Sequence, residues 1–101
     1  MADIYDVVLR HDLKLLSTEE LKDIARDAEE ASVGLVLSMK TIGKMAFYAY
    51  ADNECDDSQL REYLGGIGDL LMYLPRIVSG IQQNLLTAQY EIHRREVKHD
   101  Q

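Results

Sequence analysis

The stretch that decides the fold is residues 60–92, LREYLGGIGDLLMYLPRIVSGIQQNLLTAQYEI. Its apolar side chains recur at alternating steps of four and three residues, which is the spacing of one helix face and of no strand face. The members of this stripe are Leu60, Leu64, Ile67, Leu71, Leu74, Val78, Ile81, Leu85, Ala88 and Ile92. Because the stripe keeps its phase across Pro75, we predict one long helix over residues 58–95 that bends at the proline.

A second long helix is predicted over residues 18–51. It starts at a capping box, in which Ser17 accepts from the Glu20 N–H and Glu20 reaches back to the Ser17 N–H. Leu16 and Leu21 have the spacing of a hydrophobic staple across this cap. The stripe of this helix is made of smaller residues: Leu21, Ala25, Ala28, Ser32, Leu35, Met39, Ile42, Ala46 and Ala49. Small residues facing large ones predict that the two long helices pack as an antiparallel hairpin.

The remaining segments complete a single all-α domain over residues 1–101. Residues 3–10 are predicted as a short amphipathic helix, and residues 52–57 as an acidic loop whose Asp56 or Asp57 caps the following helix. A loop centred near residue 54 or 55 pairs positions whose numbers sum to about 109 in an antiparallel hairpin. The pairs that this register brings together are Gly43 with Gly66, Gly34 with Pro75, and Lys40 with Asp69. The glycines are expected to allow close approach of the two backbones.

Composition excludes several classes of protein. At 101 residues, with 47% hydrophobic and 29% charged residues, the chain is expected to form one globular domain. The formal charge of −7, concentrated in residues 1–58, would repel a phosphate backbone, so no direct nucleic-acid binding is predicted. The single cysteine, the lack of a signal peptide and the polar residues within 82–89 favour a cytoplasmic protein that spans no membrane.

No catalytic, cofactor-binding or metal-binding site is predicted. Cys55 lies in the hairpin loop, far from any histidine that could act as its base. His93 and His99 do not share a helix face, which argues against a two-histidine metal site. A calcium loop starting at residue 52 would need glycine and glutamate where the chain has Asp57 and Tyr63. We therefore expect a protein that is not an enzyme and that uses no cofactor.

An excess of apolar side chains indicates a protein partner. Many large apolar residues lie outside both stripes, and a hairpin of two rods near 50 Å long would leave them in water. We predict that a homodimer joins two hairpins into a four-helix-type bundle, with docking of a different protein as the alternative use of this surface. The predicted interaction residues are Phe47, Tyr48, Tyr50, Met72, Tyr73, Ile77, Leu86 and Tyr90. The bases in residues 94–98 suit the negative end of the helix dipole, and contact with an acidic partner is the other interpretation.

Two segments resemble a family of small prophage proteins. Ser38–Phe47 (SMKTIGKMAF) and Leu71–Arg76 (LMYLPR) are similar to the derepression, or antirepressor, proteins of helper-dependent satellite phages and their enterobacterial relatives. The layout, an acidic chain of about a hundred residues with a short helix before two long ones, resembles that family as well. The resemblance implies a protein that binds the helper phage's repressor and lifts lysogenic silencing without any chemistry. It supplies no functional residue to carry over.

Two other classes of function stay open from the sequence. An anti-CRISPR protein or acidic DNA mimic would need carboxylates spaced along a surface like phosphates, and Asp23, Asp27 and Glu30 follow one helix face. The basic tail and the apolar half of the chain argue against full mimicry. The third class is a structural helical bundle whose only partner is itself.

Overall fold

The computed structural model describes residues 3–99, and over this range it is helical with no strand. Helix α1 spans Ile4–Val8, a one-turn 3-10 helix spans Leu13–Leu15, α2 spans Thr18–Ala51 and α3 spans Asp57–His99. Helices α2 and α3 pack against each other as an antiparallel hairpin, and α1 and the 3-10 helix pack on α3. The predicted all-α class and the hairpin of two long helices are therefore confirmed.

The helix starts follow the local capping chemistry. The Glu20 N–H donates to the Ser17 hydroxyl at 3.1 Å, as predicted, but the Glu20 carboxylate accepts from that same hydroxyl at 3.0 Å instead of reaching the backbone. Asp56 caps α3 by accepting from the Gln59 N–H at 2.8 Å, while the Gln59 side chain accepts from the Asp56 N–H at 3.1 Å. The loop is thus closed by a reciprocal capping box.

Helix α3 is one continuous helix that includes Pro75. It extends to His99, beyond the end near residue 95 that the sequence predicts. The extension has a local cause, because Arg94 and Arg95 are bound to Glu91 one turn earlier in the same helix. The first helix, in contrast, is shorter than predicted, because it ends at Val8. Between it and α2 the chain forms a 3-10 turn that was not predicted.

The molecule is an elongated rod. Its extents are 67 × 28 × 15 Å, so its thinnest dimension is little more than one helix diameter. The radius of gyration is 18.9 Å, against roughly 13 Å for a compact domain of this length. The rod leaves 7701 Å² accessible to solvent. A compact monomer of 11.5 kDa exposes only ~5,800 Å².

All buried residues within 3–98 lie in one half of the rod. We call residues 3–32 and 74–99 the loop-distal half, and residues 33–73 the loop-proximal half. The buried residues of the loop-distal half are Leu13, Leu21, Ser32, Leu74, Val78, Gly80, Asn84, Ala88 and Glu91. In the loop-proximal half the stripe residues Leu64 and Leu71 are 68% and 52% exposed. The prediction that the whole stripe is buried in the hairpin is therefore wrong at these two positions.

The predicted register agrees with contacts at both ends of the hairpin. Near the loop, Ala46 and Tyr63 line the same groove, in agreement with the predicted pairing. Far from the loop, Leu21 and Ala88, which the register also pairs, belong to one buried cluster.

Two long side chains connect positions about one helical turn away from this register. Gln82 donates to the Ser32 hydroxyl, and Arg95 donates to the hydroxyl of Thr18.

The predicted close approach at the glycines is wrong. A methyl group built on Gly34, Gly43 or Gly66 would meet no atom within 4 Å, and the same holds for the other two glycines near Gly66. Lys40 and Asp69 are both exposed, and no ion pair joins them within the described chain. The two helices thus stay apart near the loop instead of packing tightly.

Candidate protein-interaction surfaces

Seven of the eight predicted interaction residues are exposed. Tyr50 has the largest exposed fraction at 80%, and Tyr73 the smallest at 53%. The exception is Ile77, which is half-buried between the helices and so differs from the prediction. The exposed members are Phe47, Tyr48, Tyr50, Met72, Tyr73, Leu86 and Tyr90. The apolar excess predicted from the sequence therefore lies on the surface of the single chain.

The N-terminal segment covers one side of α3. Asn84 accepts from the Arg10 N–H at 2.9 Å and donates to the Val8 carbonyl at 3.1 Å, so one buried side chain satisfies the backbone at the end of α1. A methyl group on Gly80 would lie 3.0 Å from Val8. Arg76 pairs with Asp3 at 2.8 Å and its guanidinium stacks over the ring of Tyr5. We call this covered side of α3 the α1 side.

The opposite side of the hairpin is uncovered along its whole length. Leu86 follows Gly80 by about one and two-thirds turns, so it faces away from the α1 side, and Met72 lies two heptads before it on the same row. On α2, Val33, Val36 and Phe47 follow a row on the same side of the hairpin. We call this surface the open face. Its exposed apolar residues are Val33, Val36, Phe47, Tyr50, Leu64, Leu71, Met72 and Leu86.

A groove runs between α2 and α3 near the loop, on the α1 side. Its volume is about 640 Å³, and its lining is almost entirely apolar. Gly66 lies about four turns before Gly80 on α3, which places the groove on the same side as α1 but beyond the reach of α1. We call it the groove. Its lining residues are Ile42, Met45, Ala46, Ala49, Glu62, Tyr63, Gly66 and Ile67.

A buried carboxylate joins the two ends of the hairpin. The Glu91 side chain is 2% exposed and accepts from Arg94 at 2.6 and 3.0 Å and from Arg95 at 3.1 Å. Arg95 also donates to Thr18 and to the Lys14 carbonyl, which ties α3 to the start of α2. The hydrogen bonds from Arg94, helped by those from Arg95, lower the pKa of Glu91 to about 2 against the opposing effect of burial. These arginines thus serve the fold.

The acidic residues of α2 do not form an unbroken negative row. Arg26 lies 3.3 Å from the Asp23 carboxylate and 3.5 Å from that of Asp27. A positive charge therefore lies between two of the carboxylates that a DNA mimic would use in place of phosphates. In the loop, half-burial of Cys55, together with the carboxylates of Asp52 and Asp56, raises the pKa of its thiol. A raised pKa leaves less of the reactive thiolate.

Among the described residues, no three His, Cys, Asp or Glu side chains come together in a group that could hold a metal ion. None of the helices described has a stretch that is both long and apolar enough to cross a membrane.

Three structural residues on α3 were not predicted from the sequence. Gly80 and Asn84 contact α1 and its C-terminal end, and Glu91 holds Arg94 and Arg95. The glycines that the sequence singled out have open space where a methyl group would lie. A signal was present, because the three fall at steps of four and seven on one helix face, beside the apolar stripe. A second contact face on α3 could have been inferred from that spacing.

Comparison with known proteins gives no relative, since no protein-family model, curated protein or solved structure matches the chain. The resemblance to phage derepression proteins therefore stays a prediction.

Proposed function

We propose that this protein is a non-enzymatic regulator of a phage or other mobile element, which dimerises and inactivates another protein in the cytoplasm. The favoured target is a phage repressor, as the resemblance to derepression proteins implies. The observation that carries the proposal is the open face, an uncovered surface on which both long helices expose large apolar side chains, most of them in the loop-proximal half. Apolar surfaces of this extent mark sites of protein association.

The area of the exposed surface supports the dimer. The chain exposes roughly 1,900 Å² more than a compact monomer of its mass. Standard interfaces bury about 800 Å² per partner, and obligate homodimers bury more. Two hairpins joined through their open faces form a four-helix-type bundle, in which Phe47 and Leu86 leave the solvent. The bend at Pro75 belongs to the same proposal, because the proline removes a backbone hydrogen bond inside α3.

Self-association is tested by light scattering over a range of protein concentrations. Phe47→Asp and Leu86→Asp place a charge on the open face and should each weaken the dimer at least ~30-fold. Val7→Asp is the matched control, since Val7 is 69% exposed and lies in α1, on the other side of the hairpin from the open face. Circular dichroism shows whether each variant keeps its helices. A wild-type chain that stays monomeric at all concentrations would refute the dimer.

The antirepressor function needs a separate test. Purified repressors of several temperate phages are bound to their operator DNA, and the chain is added in excess. The proposal expects one repressor to be released and a stable complex to form with it. Tyr73→Asp, on the α1 side of the loop-proximal half, should abolish release while leaving the dimer intact. If every repressor stays on its operator, an assembly protein whose only partner is itself becomes the better explanation.

A nuclease-complex inhibitor is the alternative target class. The pairing of Arg26 with Asp23 and Asp27 weakens mimicry of a phosphate row. A plasmid-interference assay with the chain expressed in a CRISPR-active host distinguishes this class. Loss of interference with every repressor still bound to its operator would favour it over the antirepressor.

A further inference from the structure

The groove is the unfilled part of the hairpin core. Ala46 and Ala49 of α2 face Gly66 of α3, so no side chain is large enough to close the space between the helix axes. Met45 and Tyr63 stand at its margins and are 64% and 45% exposed. A volume of about 640 Å³ is within the range of binding pockets and admits several side chains of one helix face.

The margin of the groove is acidic. Glu62 lines it directly, and the adjoining loop carries Asp52, Glu54, Asp56 and Asp57. Across residues 3–99, none of these five carboxylates takes part in an ion pair. The only base in residues 52–68 is Arg61. The lysines of the loop-proximal half, at positions 40 and 44, lie on the side of α2 that faces away from α3.

We propose that the groove binds a basic amphipathic helix of the target protein. The apolar face of that helix would fill the space above Gly66, and its basic residues would face Glu62 and the loop carboxylates. This inference rests on the proposed function and names the chemistry of the target. DNA-binding proteins present basic helices, and covering such a helix would compete with its binding to phosphates.

A second copy of the chain fits the groove less well than a basic helix does. The most basic segment of the chain is residues 94–98, and there Arg94 and Arg95 are already bound to Glu91. The open face, on the other side of the hairpin, exposes large apolar side chains of both long helices and is the surface proposed for the dimer. The two surfaces therefore have different occupants, with the open face for the second copy and the groove for the target.

Fluorescence anisotropy with a defined peptide tests the groove. The probe is a fluorescein-labelled helical peptide of about 18 residues, five turns, with leucines on one face and lysines on the other. Two control peptides have the same length, one with glutamate in place of lysine and one with the basic sequence scrambled so that it has no apolar face. The full chain should bind the basic amphipathic peptide at least about tenfold more tightly than either control.

Variants of the chain localise the binding. Met45→Lys changes an exposed residue of the groove and should weaken binding of the basic peptide about tenfold or more. Val33→Lys makes the same change of charge outside the groove and should stay within about twofold of wild type. Glu62→Lys should weaken binding severalfold, while Glu29→Lys, on the acidic half of α2, should change it far less.

Several outcomes would overturn the inference. If the chain bound the basic and the acidic peptide with equal affinity, charge complementarity would play no part in binding. If it bound the scrambled basic peptide as tightly as the amphipathic one, binding would depend on net charge alone and not on the groove. Equal effects of Met45→Lys and Val33→Lys would place the peptide elsewhere. The proposed function fails separately, because a chain that binds the peptide through the groove but releases no repressor refutes the function alone. A chain that releases a repressor equally well with Met45→Lys refutes the groove alone.

Discussion

The loop-distal and loop-proximal halves of the hairpin are built from the same two helices, yet only the loop-distal half contains buried side chains. Leu21 is fully buried, whereas Leu64, a member of the corresponding stripe on α3, is 68% exposed. The difference comes from a third layer, because α1 and the 3-10 helix pack on α3 only in the loop-distal half. Two packed helices bury only the side chains on the line where they meet, so a core that is shielded on all sides needs a further helix or segment.

The polar groups of the two halves differ in the same way. In the loop-distal half, Asn84 and Glu91 are buried and fully paired within the chain. In the loop-proximal half, Glu62 and the loop carboxylates lie outside any ion pair of the described chain. The loop-distal half satisfies its own groups and stabilises the monomer. The loop-proximal half leaves its carboxylates without such partners, as the proposed binding of a basic helix requires.

The largest expected effect comes from one substitution made in both halves. Leu21→Ala leaves a cavity in the closed core and should lower the free energy of unfolding by about 2–5 kcal/mol. Leu64→Ala removes an exposed side chain and should change it by less than about 0.5 kcal/mol in the dilute monomer. Urea unfolding at low protein concentration measures both values. Equal losses would mean that the loop-proximal half has a core of its own.

A smaller effect is expected where α1 is attached. Asn84→Ala leaves the Val8 carbonyl and the Arg10 N–H without their partner, at a cost of about 1–3 kcal/mol. Hydrogen exchange should then show faster exchange in α1 and unchanged exchange in residues 33–73. Gln83→Ala is the control, because the Gln83 side chain is exposed and its hydrogen bond is to Thr87 within the same helix. If the α1 amides of Asn84→Ala stayed as protected from hydrogen exchange as in wild type, Asn84 would not be what attaches α1.

Lowering the pH should decrease the stability of the loop-distal half, because it protonates Glu91. The folded chain holds the pKa of Glu91 near 2, below the usual glutamate value of 4.5, because Arg94 and Arg95 bind the carboxylate. Its contribution to stability is therefore fully present above about pH 4.5 and is lost as the pH falls towards 2. As the pH is lowered from 6 to 2, the melting temperature of the wild-type chain should fall, whereas that of Glu91→Gln should depend much less on pH. Glu29→Gln, at an exposed position, should keep the wild-type dependence.

The smallest effects concern the glycines and should have opposite signs in the two halves. Gly66→Ala adds a methyl group in open space and should stabilise α3 by about 0.5–1 kcal/mol. Gly80→Ala adds one that meets Val8 at 3.0 Å and Tyr5 O at 3.3 Å, so the contact with α1 must shift. Thermal unfolding of the two variants compares them directly. If Gly80→Ala stabilised the chain, α1 would be able to move away from the added methyl group without any loss of stability.

Much of the fold follows from local patterns. The stripe from Leu60 to Ile92 predicts α3, and the caps at Ser17 and Asp56 place the starts of both long helices. These predictions succeed because a helix depends on contacts three or four residues apart, which a sequence displays directly. The exposed apolar positions of the candidate surfaces were also predictable, with the exception of Ile77.

Long-range pairing was less accessible. The predicted register brought Lys40 to Asp69 and the glycines to one another, and neither contact forms. The division of the exposed residues into an open face and a groove depends on where α1 lies. The position of α1 depends in turn on Asn84, which joins residues far apart in the chain.

The sequence by itself determined the class of this protein, its long helices, their starts and its surplus of apolar surface. Helical periodicity and capping chemistry are local, so one chain read in order contains them. The tertiary structure alone decided which half closes. That result depends on the short N-terminal segment reaching Gly80, Asn84 and the Glu91 network but not the groove. The spacing of these residues marks a second contact face on α3, but no local pattern shows which segment packs on it.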